Sequence, residues 1–280
     1  MDPWFGRSPR GPMVRDRIGR GLSVVRIGAG PPLVVAPGLA PDHGPLRGIG
    51  LGTGLISLWP FARDRTVWWV NRREGLDPGT TMAELAADYS GALRSAFDGP
   101  VDVMGISTGG AVALQLAADD PALVRRLVVV ASGGRLGERG RAAQRRMAAH
   151  LAAHRPRAAA AELGAMVAAT RRSRAGLRVA GWLTGGAFWA VDDPRDVLAT
   201  IWAEDGFDLT DRLGEITAPT LVVGGGRDQF YDNGRVTAAT ARGIGGSTLV
   251  VYPDKGHLGV LNSPALPRDV LAFLAAGPYP

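Results

Sequence analysis

Seven short runs rich in valine, leucine and isoleucine recur along this chain, and stretches of helical periodicity lie between most of them. The runs are Leu22–Ile27, Leu33–Ala36, Thr66–Val70, Val101–Ile106, Leu127–Val130, Thr220–Val223 and Thr248–Tyr252. Strands that alternate with helices imply βαβ units, so the pattern predicts an α/β fold with a mostly parallel central sheet flanked by helices. One intervening stretch is especially clear. Met82, Leu85, Tyr89, Leu93 and Phe97 fall three or four residues apart on one helical face, behind a Thr81/Glu84 pair that reads as a capping box. Thr108–Ala118 reads as another helix, stopped near Pro121, and Pro267–Ala276 as a closing helix ended by Gly277.

The rhythm breaks between Gly137 and Leu213. This stretch is rich in alanine and arginine, helical in propensity and without clear strands. Its helical period is good over Ala142–Leu151 and poor around Gly181–Ala187. It reads as a helical cap, 137–213, inserted into a core domain made of 22–136 and 214–280, with 1–21 as a loose N-terminal tail. Gly48, Gly50, Gly52 and Gly54 form a glycine-rich loop, and no internal repeat is visible.

Composition narrows the function classes. Hydrophobic residues at 46% suffice for a large core, and 21% charged residues is ordinary for a globular chain. The net charge of +6 is carried by arginine, since Lys255 is the only lysine. Arg135 to Arg178 holds 11 arginines against Glu138 and Glu162, a local net of +9. A solvated helical face is the plain reading; an acidic substrate, an acyl carrier or a membrane surface is the functional one. No RNP, zinc-finger or helix-turn-helix pattern points to nucleic acid. The absence of cysteine removes disulfides, thiolate catalysis and cysteine-type metal sites. No apolar stretch approaches the roughly 20 residues of a spanning helix. The basic N-terminus is followed by no apolar signal region, so a cytoplasmic location is expected.

Gly105-Ile106-Ser107-Thr108-Gly109 matches G-x-S-x-G, with an apolar strand leading in and a helical pattern leading out. The spacing has a physical reason. A tight strand-to-helix turn forces the serine into a strained conformation, and side chains two residues either side would collide. The turn lifts the Ser107 hydroxyl above the sheet edge and places it at a helix N-terminus, where developing negative charge is favoured.

A serine nucleophile needs a base. Of His43, His150, His154 and His257, only His257 follows a predicted strand at the end where α/β sheets place their sites. The base needs a carboxylate to fix its tautomer. Asp228 follows the strand Thr220–Val223 within Gly224-Gly225-Gly226-Arg227-Asp228, with Asp232 and Asp254 as rivals. Asp254 is too close to His257 in the chain to present its carboxylate well.

The elbow, the Gly-Arg-Asp loop and the late Gly-His, in the order Ser, Asp, His, resemble the α/β-hydrolase superfamily, specifically its capped serine members, over roughly Leu22 to Ala276. Serine at the nucleophile position departs from the haloalkane dehalogenases and epoxide hydrolases, which use aspartate there. The resemblance implies an oxyanion hole made by the backbone N–H groups of Thr108 and Leu39. Pro37-Gly38 stands where the family often has His-Gly, which leaves the backbone donor in place but alters the loop. His43 reads as a loop residue near the entrance.

The implied reaction is hydrolysis of a carboxylic ester, lactone or thioester through an acyl-enzyme, with no cofactor or metal. Acyl transfer, C–C bond hydrolysis and a perhydrolase or haloperoxidase-like activity share the same triad. A ligand-binding module that keeps the triad is the non-enzymatic alternative. Trp182, Phe188, Trp189, Trp202 and Phe207 gather in the inserted stretch. They read either as an apolar lid selecting a small substrate with an apolar acyl or alkyl part, or as packing within the cap. His150 and His154, four apart, lack the glutamate of a zinc helix, and the Gly48–Gly54 run fits neither nucleotide-binding pattern. Trp68 and Trp69 read as core.

Overall fold

A computed structural model describes residues 12–45 and 58–276. The Gly48–Gly54 loop therefore lies outside the described residues. Eight strands form one sheet: β1 Val14–Ile18, β2 Leu22–Ile27, β3 Pro32–Ala36, β4 Thr66–Val70, β5 Val101–Ile106, β6 Val124–Val130, β7 Thr220–Gly225 and β8 Thr248–Tyr252. Their order is β1-β2-β4-β3-β5-β6-β7-β8. β2 pairs antiparallel with β1 and β4, and every other pairing is parallel. The order turns around β3, which has β4 on one side and β5 on the other. At such a switch point the connections leave in opposite directions, and a crevice opens beyond the C-terminal strand ends.

Alternation along each strand divides the core into two layers. Val34, Val103, Val129 and Val222 face one layer, with Leu85, Tyr89 and Leu93 of α1 (Met82–Ala96) and Val112 and Leu116 of α2 (Thr108–Asp119). Leu33, Val35, Met104, Val128, Val130 and Val223 face the other, with Leu266, Val270 and Leu274 of α9 (Ala265–Ala275). The Thr81/Glu84 capping box is formed at the start of α1. Pro267 lies in the first turn of α9, where its missing N–H has no partner to lose, so that helix starts before the proline and not at it.

Four helices lie between β6 and β7: α3 Glu138–Ala152, α4 Pro156–Met166, α5 Arg171–Phe188 and α6 Arg195–Asp205. α5 runs through the stretch whose periodicity was poor. A Cβ at Gly181 would come within 2.4 Å of the Ala160 carbonyl oxygen, so the glycines there serve close backbone contact with α4 rather than an apolar stripe. α7 (Arg235–Gly243) and α8 (His257–Leu261) complete the described α-helices.

The expected loose tail does not extend to residue 21. Val14–Ile18 pairs with all of Leu22–Arg26 as an edge strand. Arg15, Asp16 and Arg17 hid it in the sequence; charged side chains on an exposed edge also block pairing with other chains. Among the described residues, no helix is long and apolar enough to cross a membrane.

Candidate active site

Three strand ends bring the sequence candidates together. Ser107 follows β5 with φ 53° and ψ −125°, a sparsely populated conformation that costs about 1–3 kcal/mol in a non-glycine residue. Its neighbours explain why it persists. Its N–H donates to the Val130 carbonyl at 2.9 Å, and its own carbonyl accepts from Gly110 N–H at 2.7 Å. A Cβ at Gly105 would meet the Gly109 oxygen at 2.4 Å, and one at Gly109 would meet the Ala36 oxygen at 2.1 Å, so the elbow admits neither.

His257 begins α8, just after β8, and is buried. Its Nδ1 lies 2.8 Å from Asp228 Oδ2 and its Nε2 lies 3.0 Å from Ser107 Oγ. An ionised carboxylate can only accept, so Nδ1 carries the proton and Nε2 accepts from the serine hydroxyl. Asp228 is wholly buried; its other oxygen, Oδ1, accepts the Phe230 N–H at 3.0 Å. The rivals turn elsewhere. Asp254 pairs with Arg227 at 2.6 Å, and the Asp232 carboxylate lies against Gly137. Burial disfavours the imidazolium of His257, but the Asp228 charge, its hydrogen bond and the Glu204 charge outweigh that and hold its pKa above the usual histidine value.

The Pro37-Gly38-Leu39 loop follows β3 directly, at the switch point. A Cβ on Gly38 would stand 3.3 Å from Ser107 Cβ, so the loop lies against the serine. Thr108 is the first residue of α2 and fully buried.

The aromatic candidates are not gathered into one cluster. Trp189 is only 4% exposed and packs with Met147, Leu151, Val197 and Ile201, a cluster that Leu39 also touches. Phe188 stands edge-on to it at 5.7 Å. Trp182 is 48% exposed, with the Arg157 guanidinium over its ring. Trp202 lines a separate pocket of about 350 Å³ with Pro78, Met82, Gln115 and Phe207. The rings that do meet His257 are Phe230 and Tyr231, at centroid distances of 4.8 and 6.1 Å. Both follow Asp228 closely in sequence, which was the available signal.

Glu204, Gln144 and Arg72 escaped sequence reasoning. Glu204 on α6 is buried and accepts from Thr108 Oγ1 and Gln144 Nε2, each at 2.8 Å. Burial raises its pKa against the opposing pull of those bonds and of Arg72 and His257. Arg72, two residues past β4, is buried, and so is His43, which lies in a loop as expected. Desolvation, with Arg72 alongside, lowers the His43 pKa to about 3. His154 has φ 52° beyond the end of α3, so it does not share a helical face with His150. Among the described residues no group of three or more His, Cys, Asp or Glu could hold a metal.

A serine raised on a strand–helix elbow and touched by a buried His–Asp pair, beyond the C-terminal ends of a mostly parallel sheet, is the arrangement of one large class of enzymes. The model of the alpha/beta hydrolase family matches residues 21–270, and the chain belongs to that family. It is 32% identical over 202 residues to the protein named "Putative carbamate hydrolase RutD" of Variovorax paradoxus (strain S110), covering 71% of this chain and 75% of that one. Solved structures with the same fold include the enol-lactonase from Burkholderia xenovorans LB400, with TM-score 0.72 and 18% identity over 94% of this chain and 100% of that one. Another is a thermophilic esterase from Thermogutta terrifontis, with TM-score 0.71 and 22% identity over 95% of this chain and 98% of that one.

Proposed function

We propose that this enzyme is a serine hydrolase that cleaves a carboxylic ester, lactone or thioester of a small molecule, with Ser107 as nucleophile, His257 as base and Asp228 as its orienting acid. The observation that carries the reading is the two-sided engagement of His257, 2.8 Å from Asp228 and 3.0 Å from Ser107. Ser107 Oγ adds to the acyl carbon as its proton passes to Nε2. The carbonyl π pair moves onto oxygen, where the N–H groups of Leu39 and Thr108 receive it. Collapse expels the leaving group, which takes the proton from Nε2. Water then adds to the acyl-enzyme with His257 again as base, releasing the acid and restoring Ser107.

The relative named as a carbamate hydrolase favours a second substrate class, since a carbamate also offers Ser107 a carbonyl carbon to attack, flanked by one oxygen and one nitrogen substituent, and an aryl carbamate expels its aryloxide. The inserted helices α3–α6 would act as a cap over the site, with Trp189 in the apolar cluster against which Leu39 packs.

Turnover of short p-nitrophenyl esters and of an aryl carbamate, with fluorophosphonate labelling, tests this in wild type and Ser107→Ala. Turnover and labelling in wild type that both vanish in the variant support the reading. A wild-type protein that neither turns over nor labels overturns it in favour of ligand binding.

A further inference from the structure

We propose that Arg72 and Glu204 are positioning residues for the oxyanion hole, Arg72 for its Leu39 donor and Glu204 for its Thr108 donor. The inference rests on the acyl-transfer reading above.

Arg72 is among the largest completely buried side chains. A buried guanidinium is expensive to retain unless every donor is placed. Here the fork is spent on one loop: Nη1 donates to the Pro37 carbonyl at 3.1 Å and Nη2 to the Gly38 carbonyl at 2.9 Å. The Gly38 carbonyl and the Leu39 N–H are the two ends of one peptide plane. With no cis bonds among the described residues, they point in opposite directions. Fixing the carbonyl toward Arg72 therefore fixes the direction of the N–H. The cation also draws electron density toward the carbonyl oxygen and makes that N–H a stronger donor.

The third donor of Arg72 ties this clamp to α6. Nε donates to His43 Nε2 at 3.1 Å, while His43 Nδ1 donates to the Arg73 carbonyl at 2.9 Å. Thr200 Oγ1 on α6 lies 3.3 Å from the same His43 Nε2. One turn on, and so on the same helical face, Glu204 accepts the Thr108 hydroxyl at 2.8 Å. Gln144 of α3 donates to the same carboxylate oxygen at 2.8 Å and holds it in place. α6 thus holds the Thr108 donor through Glu204, and it packs Thr200, whose hydroxyl donates to the Asp196 carbonyl at 2.9 Å, against the His43 that Arg72 engages. The Glu204 and Arg72 charges also favour each other through space.

The test separates oxyanion geometry from general structure. Arg72→Lys keeps the charge but loses the fork, and Glu204→Gln keeps an acceptor for Thr108 but loses the charge. Each is assayed for kcat and KM on a p-nitrophenyl ester, and for inhibition by a trifluoromethyl ketone whose Ser107 adduct bears an oxyanion. Expected are a kcat loss of roughly 10- to 100-fold in Arg72→Lys and a smaller loss in Glu204→Gln, each with KM within about threefold of wild type. The ketone inhibition constant should rise in step with the loss of kcat/KM. Fluorophosphonate labelling should still run to completion. Folded variants with near wild-type kcat and ketone affinity overturn the proposal, as does a kcat loss with unchanged ketone affinity. If Arg72→Lys fails to fold by circular dichroism, Glu204→Gln alone decides by the same criteria. A wild type without turnover or labelling would instead sink the underlying acyl-transfer reading.

Discussion

Phe230 holds the base and the acid of the candidate triad at once: its ring packs on the His257 imidazole at 4.8 Å, and its N–H donates to Asp228 Oδ1 at 3.0 Å. The backbone bond survives any substitution except proline, so the ring contact can be tested alone. Phe230→Ala should destabilise the fold by about 3–5 kcal/mol and lower kcat more than it raises KM, because a buried ring is lost beside the imidazole. Phe230→Leu should recover most of both. Thermal melts and steady-state kinetics read the two effects separately.

With His257 as the proposed base, the acid limb of kcat/KM should follow its titration. The imidazole must be neutral to accept the serine proton, so activity rises with pH through its pKa. Asp228 and Glu204 hold that value up, which places the midpoint above the ordinary histidine value of about 6.5. Asp228→Asn should cost on the order of 10⁴ in kcat. Glu204→Gln removes a negative charge that favours the imidazolium, so the limb should move to lower pH. A pH–rate profile of each variant checks the sign.

His43 predicts an acid sensitivity of folding. Its folded pKa is depressed to about 3, below the unfolded value of about 6.5. Between those two values the unfolded chain binds the extra proton. The stability that neutral His43 contributes is therefore complete above about pH 6.5 and is lost as the pH falls toward 3. The slope approaches about 1.4 kcal/mol per pH unit. His43→Gln, which takes up no proton, should flatten the dependence in denaturant titrations at pH 4 to 7.

Trp189 and Trp182 should behave oppositely despite their nearness in sequence. Trp189 is buried among α3, α4 and α6, so Trp189→Ala should cost about 3–5 kcal/mol. If α3–α6 roof the site, it should also change acyl chain-length preference. Trp182 is half exposed, and Trp182→Ala should stay within about 0.5 kcal/mol of wild type. Melting curves and a p-nitrophenyl ester series from acetate to octanoate report both.

What the residues announced in advance was whatever obeys local rules. Seven of the eight described strands show as aliphatic runs, and Ser107, Asp228 and His257 stand in positions that strand ends define. β1 was hidden because its pairing uses backbone while its side chains are charged. Arg72, His43 and Glu204 were hidden for a different reason. A charged residue in a single sequence reads as surface, and only the packing of α6 against the β3 and β4 loops shows that these three are buried. The richness of the insertion in aromatic residues was legible by composition, but their dispersal was not, because the burial of Trp189 and the exposure of Trp182 depend on how α5 packs against its neighbours and Trp202 lies on α6.

The position of Thr200 and Glu204 on one face of α6 bears on how such enzymes can be altered. If Glu204 positions the Thr108 donor as proposed, the inserted helices should not be exchangeable as a module for those of a relative. A graft lacking this pair would leave Arg72 without its opposite charge and the Thr108 hydroxyl without its acceptor, at the back of the reaction centre. On the proposed roles, changes of specificity are better sought in α4 and α5 than along α6, whose inner face meets Thr108 and His43.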